Sequence, residues 1–265
     1  MNKKTLLWKF FHPQQKQFCS YLFGTMHTQN DAAFTYINAA QTAIATCQAF
    51  ACEMDIDASD VQLAHTKLSL PSDVRYADFF SKKQFGKLQA ALKKYWQIDL
   101  KAEETIHPFL LQATISQQGI SADNALPLDV ALWEFAKEKK INLYGLETSD
   151  EQIQSLLDIP LQTHFKMLSD SVKNSSKHRK RLQYLIEKYQ KADIKGLYKA
   201  AKKDLKSMRK ELLYKRNKRL CNNTLSLLEQ HKTVFIAVGA AHLAGENGML
   251  RLLKKAGYKV VPVEV

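Results

Sequence analysis

The chain has 265 residues, 45% hydrophobic and 25% charged. That composition supports a full core and excludes both a mainly disordered chain and a small scaffold stapled by disulfides or metal. Lys and Arg number 39 against 26 Asp and Glu, a net charge of +13, and about half of these cations fall between Lys166 and Arg219, so the anionic partner that the charge suggests concerns one region.

The first predicted element is a strand over residues 6–10. Asn2-Lys3-Lys4 ahead of Thr5-Leu6-Leu7-Trp8 opens like a signal peptide, but the apolar stretch ends at Lys9, too short for a signal core. No stretch has the apolar length to cross a bilayer. The expectation is a soluble chain, cytoplasmic if complete and periplasmic or extracellular if a signal has been removed. A polar loop, residues 12–16, leads into a buried strand at Tyr21-Leu22-Phe23, which should form a hairpin with the first. Asp31 is placed to cap a helix over 32–46. Further near-continuous apolar runs, at 49–52, 141–144 and 234–238, predict buried strands, and 259–263 a closing one. Helical spacing covers 76–95, 109–117, 129–139, 150–157, an unbroken interval of about 161–230, and 248–255, with Gly257 as C-cap. Alternating strands and helices at both ends predict an α/β fold: a mixed, mostly parallel central sheet with helices on both faces and a long helical insertion, about 160–230, within a single domain over 1–265. The cysteines Cys19, Cys47, Cys52 and Cys221 make no C-x-x-C pair and fit a reducing compartment.

The chemistry concentrates where the buried strands end. Gly24-Thr25-Met26-His27 follows one, Glu53 another, Gly145-Leu146-Glu147 a third and Gly239-Ala240-Ala241-His242 a fourth. In a parallel sheet these are carboxyl ends, the edge where α/β folds bind ligands. Imidazoles with carboxylates suit a divalent metal and equally suit acid–base chemistry at neutral pH. Each residue alone has a plainer reading. Glu53 could cap a helix, Glu147 precedes the helix start Thr148-Ser149-Asp150-Glu151, Glu246 after Gly245 has the place of a cap, and Arg216 could belong to a solvated basic face. His12, His65, His107, His164, His178 and His231 have no partner spacing and are expected as surface or satisfied polar groups. No P-loop, dinucleotide fingerprint, H-E-x-x-H or G-x-S-x-G is present.

These segments resemble the TraB/GumN family, which includes the Tiki proteases and PrgY. The matching pieces are Leu6-Leu7-Trp8-Lys9, Tyr21 to His27, Glu53-Met54-Asp55, Leu128-Asp129, Gly145-Leu146-Glu147-Thr148 with Glu151-Gln152, Arg216-Asn217, and Val238 to Glu246. The resemblance implies a fold similar to the erythromycin-esterase and ChaN-like group. It implies a site of His27, Glu53, Glu147 and His242, with Arg216 as the family arginine. It also implies a metal-dependent hydrolase acting on a peptide or protein, since Tiki members are described as Mn- or Co-dependent metalloproteases. Mn or Co is therefore the suggested ion, with Zn or Fe as further candidates. His242 would be a ligand, His27 base or ligand, and Arg216 the oxyanion partner. The alternatives are a non-catalytic peptide- or haem-binding protein on the same scaffold, and a basic helical lid that recruits acidic peptides or an anionic membrane. Nucleic acid is disfavoured, since the basic interval shows little aromatic interleaving and no known recognition motif.

Overall fold

The structure is a computed structural model that describes residues 4–58, 68–100 and 105–264; His65 and the Asn2-Lys3 start lie outside the described residues. Six strands are present among them: β1 (Leu7–Phe11), β2 (Ser20–Thr25), β3 (Ala49–Met54), β4 (Asn142–Glu147), β5 (Val234–Gly239) and β6 (Lys259–Pro262). They form one mixed sheet in the order β4-β3-β5-β2-β1-β6. β2, β5, β3 and β4 run parallel, and β1 alone is reversed, antiparallel to both β2 and β6. The expected hairpin and mostly parallel sheet are therefore formed. β5 lies mid-sheet with Val234 to Val238 all buried, which explains its uninterrupted apolar run.

Ten α-helices accompany the sheet among the described residues: α1 (Ile37–Ile44), α2 (Lys82–Trp96), α3 (Pro108–Gln118), α4 (Leu128–Glu138), α5 (Ser149–Leu157), α6 (Leu161–Lys173), α7 (Ser175–Gln190), α8 (Ile194–Leu205), α9 (Arg216–Gln230) and α10 (Met249–Lys255). α1 and α4 pack on one face, where Phe50 of β3 meets Trp133 edge-on at 6.1 Å and stacks on Phe235 of β5. α9 and α10 cover the other face. A second apolar cluster, Tyr76, Leu88, Trp96, Ile115, Phe165 and Leu168 among others, joins α2, α3 and α6 away from the sheet.

Three sequence expectations are corrected. The helix over 76–95 is broken: Tyr76–Phe79 is a 3-10 turn, Phe80 is extended, and Ser81 starts α2 through a capping box with Gln84, a signal that helical spacing overlooked. The N-cap before residue 32 is Asn30, not Asp31. The interval 161–230 divides at Asn174, Asp193 and Lys206, and a π-helical segment, Lys210–Lys215, precedes α9. All four cysteines are free, and burial pushes the Cys47 thiol up to about 12. Among the described residues, no helix is long and apolar enough to cross a membrane.

Candidate active site

The parallel register brings the strand ends together. Thr25 lies opposite Gly239, Cys52 opposite both Ala237 and Gly145, and Met54 opposite Glu147. The strands run further than the apolar runs suggest, so Glu53 and Glu147 are themselves strand residues. Their carboxylates sit on the sheet edge instead of on loops. His27 follows β2, and His242 ends the 3-10 turn (Ala240–His242) after β5.

Both motif glycines act through close approach. Neither has a positive φ. A Cβ on Gly24 would lie 2.7 Å from Leu243 Cδ1 and 3.1 Å from Ala240 Cα, so glycine lets the two Gly-x-x-His turns abut. The Gly239 N–H donates to Glu53 Oε1 at 2.7 Å, and a Cβ there would press on Glu53 Oε1 at 3.3 Å. Gly24→Ala should cost about 1–3 kcal/mol through overpacking. It should also separate the turns, lowering both Tm and site chemistry; unchanged thermal unfolding would contradict this packing.

Arg216, at the start of α9, joins both acids. Its Nη2 donates to Glu53 Oε2 at 2.6 Å and to Glu147 Oε2 at 2.5 Å, and its Nε donates to Glu147 Oε2 at 2.9 Å. Arg219, one turn along, donates to Glu147 Oε1 through Nε at 2.9 Å and also through Nη2. One turn further, Asn223 donates to the Leu146 carbonyl at 2.6 Å. Burial acts to raise the Glu53 carboxyl, but Arg216, His242 and the Gly239 N–H outweigh it and hold it at about 2. Burial acts to lower Arg216, and the two carboxylates overcome it, so the guanidinium stays charged.

His242 is buried, with Nδ1 2.5 Å from Asn217 Oδ1. Asn217 Nδ2 donates to the Asn247 carbonyl at 2.6 Å, which fixes the amide so that Oδ1 accepts from the imidazole. Nε2 then carries the lone pair and faces Glu53 Oε1 at 3.6 Å. Burial pushes the His242 pKa down, against the pull of Glu53, so the ring is neutral near neutral pH. His27 is more exposed. Its Nδ1 donates to Asp129 at 2.7 and 2.9 Å, and this bond, working against burial, raises its pKa. The charge of Glu53 adds to that rise.

The geometry bears on a metal held by His27, Glu53, Glu147 and His242. Both oxygens of Glu147 are taken by arginines, and those of Glu53 by Arg216 and the Gly239 N–H. Among the described residues, no three His, Cys, Asp or Glu stand together as a ligand set. As arranged, the residues do not fit that four-ligand centre. Other candidates have structural places. His107 caps α3 and packs edge-on against His164 at 4.7 Å, both buried, and His231 bonds Tyr144. Glu246 is exposed, 3.8 Å from Arg251, and caps nothing, since Gly248 precedes α10. The sequence reading missed Asp129 as the partner of His27, and missed Arg219. The 216–219–223 spacing on one helix face was the available signal for Arg219.

The model of the TraB/PrgY/gumN family matches residues 6–262. Curated relatives include "Metalloprotease TIKI1" of Danio rerio, 44% identical over 54 residues, and of Xenopus tropicalis, 46% identical over 55; each match covers 20% of this chain and 11% of the relative. A "Metalloprotease TIKI homolog" of Nematostella vectensis is 41% identical over 54 residues, 20% of this chain and 12% of the relative. The matched segments thus span about a tenth of those relatives' length. No solved structure matches.

Proposed function

We propose that this chain, which belongs to the TraB/PrgY/gumN family, is a hydrolase that cleaves peptide bonds with His27, Glu53, Glu147, Arg216 and His242. The observation that supports this most is the cluster itself: two carboxylates from different strands meet one guanidinium beside a neutral, oriented imidazole. Apolar side chains would stabilise the sheet edge as well as a buried ionic cluster, so stability alone gives little reason for it. The peptide or protein substrate is carried over from the names of the matched metalloproteases.

Arg216 uses Nε and Nη2 on carboxylates, and Nη1 has no bond among the described residues, so Nη1 is the edge offered to a substrate carbonyl oxygen. His242 Nε2 and Glu53 Oε1 face each other as two acceptors, so a water seated there gives one O–H to this pair and keeps the other for His27. As that water attacks the carbonyl carbon, His27, held by Asp129, takes its proton at Nε2. Arg216 stabilises the oxyanion. The C–N bond then breaks as His27 returns the proton to the departing amine nitrogen. The names of the same relatives suggest a metal; the ion proposed is divalent, Mn or Co ahead of Zn or Fe. At this place it would compete with Arg216 and Arg219 for Glu53 and Glu147.

The test is incubation with a mixed peptide library, after chelation and with Mn or Co added, followed by mass spectrometry of new amino termini. Cleavage is expected, and is expected to fall by about 10²-fold or more in His27→Ala and Glu53→Ala. Absence of cleavage in every condition overturns the reading. Peptide binding without turnover would favour the non-catalytic alternative, and a Soret band on haem addition its haem-binding form.

A further inference from the structure

We propose that a basic groove between α3, α6, α7 and α8 is a second binding site and takes an acidic peptide segment. The groove encloses about 830 Å³, within the range of cavities that hold ligands. α7 supplies Lys177, Lys180 and Arg181, and the end of α8 supplies Lys203 and Lys206. Two carboxylates, Asp170 and Asp204, also line it, and Arg181 holds Asp204 at 3.0 and 3.1 Å. The four lysines have no ion-pair partner among the described residues. Leu182 and Leu185 give the groove an apolar floor. Lys206 closes α8 with φ 47 and ψ −116, a positive-φ backbone that is strained for a non-glycine residue. That strain is retained at the groove's rim.

The chemistry favours an acidic peptide over nucleic acid. Arg181 and Lys188 both lie over the Tyr184 ring, at 5.1 and 5.5 Å, so two side-chain cations already compete with a base for the tyrosine of the groove. Carboxylates with interspersed apolar side chains match separated ammonium groups above an apolar floor. α8 also joins the groove to the cleft, since it packs on the turn carrying His242 and sets the Tyr198 ring against Gly245. Binding here goes beyond the peptidase reading and does not require turnover.

The test is fluorescence anisotropy of the full chain with a fluorescein-labelled peptide of alternating glutamate pairs and leucines. Binding should weaken about tenfold or more in Lys177→Glu/Lys203→Glu, and also with rising salt. It should persist in His27→Ala, which separates this site from the catalytic reading. Lys82→Glu/Lys93→Glu on α2 makes the same charge change elsewhere and should leave affinity within about twofold. Lys177→Gln/Lys203→Gln, with a thermal melt, shows whether the loss is one of charge or of folding. Equal loss in both charge reversals, no binding by the wild type, or tighter groove-dependent binding of single-stranded RNA or of phosphatidylglycerol-containing vesicles would overturn the proposal.

Discussion

Asp129→Asn is expected to lower kcat/KM for peptide cleavage by about 10²–10⁴-fold, the range for loss of a positioned acid–base group, and to move the acid limb of the pH profile to lower pH. The direction follows from the contact. The hydrogen bond from Nδ1 to Asp129 is the largest cause of His27's raised pKa, with burial opposing it. A base must be unprotonated to act, so in the wild type activity rises as pH climbs through that raised pKa. Asparagine removes the charge, lets His27 deprotonate at lower pH, and leaves the ring free to take the other tautomer, so the plateau falls while its onset moves down. Asp129→Glu should recover part of the plateau. A lower plateau with an unmoved acid limb would show that Asp129 only supports the fold and that His27 is not the base.

Glu147→Ala should destabilise the chain by about 3–5 kcal/mol, the cost of leaving buried charge without its partner. At a few degrees per kcal/mol for a chain of this size, Tm should fall by roughly ten degrees. Glu147 is 3% exposed and accepts from both Arg216 and Arg219, so its loss takes the main partner from two guanidinium groups, of which Arg216 keeps Glu53 and Arg219 keeps the Ser155 hydroxyl and Glu151 at 3.8 Å. The asymmetry between breaking and replacing the cluster is the sharper check. Combining Glu147→Leu with Arg216→Met and Arg219→Met should restore most of the lost Tm while cleavage stays absent. That outcome would assign the cluster to chemistry. A Glu147→Ala protein that melts within about a degree of wild type would contradict the buried placement of this carboxylate.

The roles of the two histidines were open in the sequence because spacing says nothing of second partners. Both follow glycine by three residues, yet one is buried and neutral with its tautomer fixed by Asn217, and the other is exposed and held by an acid 102 positions away. The arginines differ in the same way. Arg216 stood among so many cations that a solvated face was as good a reading, and only helix α9 lying across the ends of β3 and β4 turns it toward Glu53 and Glu147.

The sequence by itself determined that this is an α/β chain whose strands end in glycines, histidines and acids, because uninterrupted apolar runs exist only where both faces of a strand are covered, and parallel strands end on one edge. The tertiary structure alone decided who partners whom. Asp129 with His27, Asn217 with His242 and the paired arginines on Glu147 join separate elements across long sequence distances. Hydrogen bonds of that kind are fixed by the packing of one element on another, which local periodicity does not encode.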